Sequence, residues 1–263
     1  MPEKNIIPQR IISLTPSLTE ILFALGLGYR VCGVTDSCDY PAEVADRSNV
    51  ACWFDPDLAK LYALKPDMVL GLLTAHDNLK RKIESQGIPV LLVNPTTVDE
   101  AIADIAWIGT MLGVHEKSEQ LVADLQARLS EIDDKISGII IANKLTACRI
   151  LDIEDGRFHV AGPQSFQYDI ITRAGGQNVT GSIQEAYPKI TLAQLQEWDP
   201  QVIFNCGFDL ITNPSIADKP EWRSLQAVQS EKVFTFDCSL TCRTGPRIVD
   251  MVELLFKTLY AES

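Results

Sequence analysis

Seven cysteines stand in this chain of 263 residues, and five of them fall where sulfur chemistry needs them. Cys38, Cys52, Cys206, Cys238 and Cys242 each follow a short apolar, strand-like run or lie on the loop after one. Cys32 and Cys148 lie inside such runs and read as small buried hydrophobes. Thiolates are soft ligands suited to zinc, copper(I) and iron–sulfur clusters. Four of them complete an iron–sulfur cluster or a closed zinc site. Cys238 and Cys242, with three residues between them, can bring two sulfurs to one centre on a helical turn or in a tight loop. The competing reading is a set of incidental loop cysteines, or a disulfide between two of them. An odd cysteine count in a chain of this size argues against a disulfide framework.

Whether the five converge depends on the elements that carry them. In the first half, strands are predicted at residues 10–14, 31–34, 68–72 and 90–92, and helices at 17–27, 56–64, 79–86 and 98–112. Ser17 and Glu20 have capping-box spacing, so the first helix is predicted to start at Ser17. This βαβα order predicts a small, mainly parallel sheet with helices on its faces. Residues 116–137 form one helical stretch, with Leu121, Leu125, Leu129 and Ile132 recurring on one stripe. At about 1.5 Å per residue it spans roughly 33 Å, a stiff spine between two halves. The second half repeats the first in kind. Its strands are predicted at 146–153, 159–161, 202–205 and 233–236, and its helices at 167–174, 192–198 and 248–260. The fold class is therefore α/β, with two Rossmann-like lobes joined by one long helix. The domains are residues 1–113, a spine and connector at 114–144, and residues 145–263.

Composition narrows the function. The chain carries 35 acidic against 23 basic residues, a formal charge of −12. That field repels nucleic acid and anionic membrane surfaces, and no apolar run approaches the ~18 residues of a membrane span. The N-terminus lacks a secretory apolar segment, so a cytoplasmic location is expected, or a periplasmic one if a leader precedes Met1 naturally. No GxSxG elbow, P-loop, HExxH or GxGxxG after the first strand is present. The three histidines are scattered: His76 follows a strand end, while His115 and His159 read as structural.

The opening RIISLTPSLTEILFALGLGYRVCGVTDSCDYP resembles the start of class III solute-binding proteins. These bind cobalamin, iron–siderophore or haem for ABC importers. LYALKPDMVL, GIPVLLV, AGGQNV, CGFDL and TGPRIVD fit in order along nearly the whole chain. The nearest subgroup is the cobalamin-binding proteins, which commonly carry CDYP and CGF segments. The resemblance implies a ligand held between the lobes by loops at the C-terminal ends of strands. Those loops carry Thr15, Pro16 and Ser17, then Asp36, Cys38 and Tyr40, then Cys52, Trp53 and Phe54. In the second lobe they carry Cys206, Gly207 and Phe208, then Asp237 to Arg243, and Arg247. Two positions depart from the family. Transport members carry a permease-docking acid where this chain has Ala59, leaving Glu221 on the other lobe. Before TGPR this chain has DCSLTCR, where the family often has glycine and aromatic residues.

Trp53 and Phe54 suit stacking on a flat ligand such as a corrin ring, or lobe packing. Arg243 and Arg247 suit a carboxylate, phosphate or cluster charge, or an internal pair with Asp237 or Asp250. Tyr40, beside Pro41, reads as a loop anchor or a ligand contact. Together these readings predict a binding protein holding a metal-containing ligand. The favoured content is an iron–sulfur cluster or other thiolate-bound metal at Cys38, Cys52, Cys206, Cys238 and Cys242. The alternatives are a cobalamin or iron-complex binder of an ABC importer, gripped by Ser17, Tyr40, Trp53, Phe54, Phe208, Arg243 and Arg247, and a metal-dependent redox or sulfur-chemistry enzyme. An ABC permease is the implied partner, and two protomers could share a metal site as a homodimer.

Overall fold

The computed structural model describes residues 7–140, 143–207 and 220–260. The chain divides into two compact units: residues 1–95 with 99–125, and residues 96–98 with 126–263. The helix His115–Ser137 runs from one into the other.

The first unit is built on five parallel strands: β1 Ile11–Ser13, β2 Val31–Val34, β3 Ser48–Asn49, β4 Met68–Leu72 and β5 Val90–Val93. Their order is β3-β2-β1-β4-β5. Central β1 is buried on both faces, which is why it reads as a continuous apolar run instead of an alternating one. The chain leaves β1 toward β2 and β3, then returns to its other flank for β4 and β5, so the strand order reverses between β1 and β4. In an open α/β sheet that reversal opens a crevice at the strands' carboxyl ends. Ile12, Leu14, Val69, Leu79, Ile83 and Val90 pack as part of this unit's core.

Four helices accompany this sheet: α1 Pro16–Ala24, α2 Leu58–Ala63, α3 Leu73–Glu84 and α4 Val98–Met111. Helix α1 begins one residue before the predicted Ser17 start. Thr15 is the N-cap, its Oγ1 accepting the Leu18 N–H at 3.4 Å, and Pro16 takes the first helical position. Proline is pre-organised there and its missing N–H costs nothing, so the Ser17–Glu20 capping box is not used. Helix α3 starts six residues earlier than its apolar spacing predicts, directly from the end of β4.

The long helix α5, His115–Ser137, has 23 residues. Leu125, Leu129 and Ile132 are buried along the expected stripe. Arg128 ties it to the closing helix, donating to Asp250 at 2.5 Å and to Glu253 at 2.8 Å. Asp250 is therefore the partner of Arg128.

The second unit's sheet has six strands: β6 Thr146–Glu154, β7 Arg157–Val160, β8 Gln177–Asn178, β9 Lys189–Ile190, β10 Val202–Cys206 and β11 Val233–Phe236. The order is β11-β10-β6-β7-β9, with β8 also on β6. Strands β6, β8, β10 and β11 run parallel, as expected. Strand β7 runs antiparallel to β6. Asp155 and Gly156 both hold positive φ, at 51° and 73°, and close a tight hairpin. An Asp-Gly pair is the standard residue choice for such a turn. The helices are α6 Phe166–Arg173, α7 Leu192–Trp198, α8 Gln226–Gln229, α9 Cys238–Thr241 and α10 Ile248–Tyr260. Phe158 stacks on Trp222 at 5.8 Å within this core.

The two-residue strands β3, β8 and β9 and the four-residue helices α8 and α9 escape periodicity, because each spans only about one period, too little for a repeat to show. No described helix is long and apolar enough to cross a membrane.

Ser165 caps α6: its Oγ accepts the Tyr168 N–H at 3.3 Å and donates to the Gly162 carbonyl at 2.8 Å while fully enclosed. Ser165→Ala is expected to destabilise the protein by about 1–2 kcal/mol, read as a lowered urea midpoint with the folded-state circular dichroism unchanged.

Candidate functional site

At the carboxyl edge of the first sheet, polar side chains are locked together. Thr19 Oγ1 lies 2.9 Å from Ser13 Oγ and 3.2 Å from Cys38 Sγ. Thr35 Oγ1 lies 3.3 Å from the same sulfur. Cys38 is buried, so its thiol serves as a hydrogen-bonding bridge between two threonine hydroxyls. The loop after β2 is joined to the loop after β3 by the Asp36 N–H donating to the Ala51 carbonyl at 3.1 Å.

That second loop displays Trp53 and Phe54, whose rings are tilted against each other with centroids 3.6 Å apart and planes 35° apart. Phe54 is 61% exposed, which for an aromatic ring is a large apolar surface left in water. The loop is pinned from behind by His76, which is fully buried. Nδ1 accepts the Leu72 N–H at 3.0 Å, so Nε2 carries the proton and donates to the Trp53 carbonyl at 2.6 Å. Burial holds the imidazole below its ordinary pKa, and so neutral. Gly71 makes room: a Cβ there would stand 2.9 Å from His76 Nδ1. His76 is thus the residue that aims the aromatic pair. A histidine just after a strand end is the only sequence signal for it.

In the second unit the strand ends of β10 and β11 lie side by side, Cys206 opposite Phe236. The chain then turns into α9, capped by Asp237. Within α9 the Cys242 N–H donates to the Cys238 carbonyl at 3.0 Å. One helical turn therefore separates the two cysteines and puts both on one face. The sulfurs of Cys206, Cys238 and Cys242 all lie within 4.8 Å of one another, with Cys206 buried and the other two exposed. Gly207 holds φ at +78°, and a Cβ there would come within 2.8 Å of Cys238 Sγ, so only glycine permits the approach.

Beneath the sulfurs lies Arg149, on β6 and 1% exposed. Its Nη2 is 3.3 Å from Cys206 Sγ and 3.3 Å from Cys242 Sγ. Its guanidinium stands over the Phe204 ring at 5.6 Å. Nε and Nη1 are buried with no hydrogen-bond partner among the described residues. The Cys206 pKa is driven far down, first by the hydrogen bond from the Cys242 thiol and also by Arg149. Cys242 and Cys238 are pushed up, the former chiefly by that same bond and the latter by burial.

Three of the five candidate metal cysteines thus meet among the described residues. Cys38 is engaged inside the first unit, and Cys52 is exposed on the loop before Trp53. Ser17 is buried in the first turn of α1, and Tyr40 is 47% exposed. Arg243 and Arg247 lie near enough to Asp237 to lower its pKa, behind the larger effect of the Ser239 hydrogen bonds. Phe208 lies outside the described residues. An iron–sulfur cluster is a poor fit to the triad, because such clusters take four cysteine thiolates and three cysteines meet here among the described residues. At the opposite edge of the first sheet, the groove past Pro8, Met68 and Met111 holds one carboxylate, Asp67. Both of its oxygens are taken by the N–H groups of Gln9 and Arg10.

Residues 11–240 match the family model described as periplasmic binding protein. The chain belongs to that family. Among curated members of the periplasmic binding protein family, an uncharacterized ABC transporter substrate-binding lipoprotein of Bacillus subtilis, YvrC, is 28% identical, covering 97% of this chain and 81% of its own. The vitamin B12-binding protein of Pectobacterium atrosepticum is 26% identical over 92% of this chain and 85% of its own. The periplasmic heme-binding protein RhuT of Roseiflexus sp. RS-1 superposes with a TM-score of 0.81 at 24% identity, covering 96% of this chain and 98% of its own. The fold is that of class III periplasmic binding proteins.

His76 makes the Trp53 loop sensitive to acid. Its folded pKa is lowered from 6.5, so the unfolded chain takes up the proton first. The stabilisation is therefore complete above 6.5 and is lost as the pH falls through the lower folded value. Denaturation midpoints measured from about pH 8 to about pH 5 are expected to fall, and His76→Leu to remove that part of the fall.

Proposed function

We propose that this chain is the substrate-binding component of an ABC importer and that its cargo is a corrinoid. The observation that carries the reading is the nearly end-to-end match to a relative named vitamin B12-binding protein. The chemistry of the first unit supports it. A corrin ring offers a broad, largely apolar face and brings its own cobalt ligands, so it asks the protein for stacking surface before it asks for donor atoms. The Trp53–Phe54 pair, with Trp53 half-buried and Phe54 exposed, is backed by a buried histidine and supplies such a surface. An importer reading includes a permease. Of the two docking positions the resemblance points to, Ala59 is exposed on α2 without a charge, and Glu221 is exposed with one. Docking through the second unit's acid is part of the proposal.

Calorimetric titration with cyanocobalamin tests the cargo. One equivalent is expected to bind per chain, and Trp53→Ala to weaken binding by roughly 10- to 100-fold, about 1.4–2.7 kcal/mol. Absence of heat at about 10 µM protein would remove the corrinoid reading. Saturable haem binding tighter than cobalamin binding would replace it with the haem reading.

A further inference from the structure

We propose that Cys206, Cys238 and Cys242 form a three-thiolate site for one divalent thiophilic metal ion, of the zinc type, with Arg149 as its built-in counter-cation. The inference goes beyond the importer reading, since all four residues belong to the second unit and none is used in stacking a corrinoid.

Distance is the first argument. Metal–sulfur bonds of about 2.3 Å put the sulfurs of a tetrahedral or trigonal site about 3.8–4.0 Å apart. Here all three sulfurs lie within 4.8 Å, and Cys206 and Cys242 are 3.2 Å apart. Shifts of less than about 1 Å reach the bonded geometry of a single ion.

Charge is the second argument. A guanidinium buried to 1% exposure is costly unless an anion faces it. Among the described residues no carboxylate is paired with Arg149; its Nη2 faces two sulfurs instead. Three thiolates, one divalent ion and one guanidinium sum to zero. A monovalent ion would leave a net negative charge buried. The ion enters by exchange: one M–S bond forms at each of the three sulfurs, and the proton of each S–H bond that it replaces leaves to solvent. No electron is transferred.

Access is the third argument. Cys238 and Cys242 are exposed and Cys206 lies beneath them, so the site opens outward. A fourth coordination position faces away from Arg149, the arrangement of zinc sites that accept an exogenous ligand.

Cobalt(II) titrated into the reduced, metal-free chain under anaerobic conditions tests the site directly. One equivalent is expected to bind with an intense near-ultraviolet sulfur-to-cobalt charge-transfer band and the visible bands of tetrahedral cobalt. Zinc is expected to displace it. Cys238→Ser and Cys242→Ser, at exposed positions that leave the core intact, are each expected to weaken binding by more than the ~10–100-fold that loss of a supporting residue costs. Cys52→Ser is expected to bind like the parent. Absence of the charge-transfer band would overturn the proposal, as would undiminished binding in both serine variants. Several irons and acid-labile sulfide per chain after anaerobic purification, lost in the same variants, would overturn it in favour of a cluster. The titration uses the metal alone, so its failure is independent of any result with cobalamin.

Discussion

A parallel sheet delivers the carboxyl end of every strand to one edge, and that constraint organises both units of this protein. Strands β1 and β10 are buried along their length, so their own side chains are committed to packing. Chemistry has to sit where the strands stop. In the first unit that edge carries Thr15, the Cys38 bridge and the Trp53 loop. In the second it carries Cys206 and, one strand over, the short helix with Cys238 and Cys242. The same edge is where backbone groups leave the ladder and need new partners. Much of the local sequence is explained by that need: Thr15 and Asp237 cap helices, and His76 takes one N–H and one carbonyl at once.

The two edges meet this need in different ways. The first is a network of hydroxyls, one thiol and one imidazole beside a loop whose Phe54 ring stands in solvent. The second is built around a buried positive charge. Arg149 would ordinarily call for a carboxylate; here it has sulfur on one side and the Phe204 ring on another. A thiolate is larger and less strongly hydrated than a carboxylate. The desolvation cost of burying the pair is therefore lower.

The secondary structure was largely legible in the sequence. The Val31–Val34, Met68–Leu72 and Val233–Phe236 strands and the helix ending at Ser137 follow from apolar runs and one apolar stripe, which are local properties. The start of α1 was legible too, but the nearer signal was Pro16 after Thr15. The Asp155-Gly156 pair already encoded the hairpin that turns β7 antiparallel. Helix α3 was misplaced because its first turn is held by a histidine reaching back to β4, and no periodicity reports that.

By itself the sequence determined the fold class, the family resemblance and the cysteines' position at strand ends, because each depends on short-range pattern and order along the chain. Only the tertiary structure decided which sulfurs meet. Cys238 and Cys242 converge through one helical turn, but Cys206 joins them because β10 pairs with β11, with 31 residues between Cys206 and Cys238. Cys38, equally a strand-end cysteine, is drawn inward by Thr19 and Thr35 instead. Arg149 gave no sign of its role, since a charged residue in an apolar strand looks like an outward-facing one until the burial of both sheet faces leaves it nowhere to go but toward the thiolates.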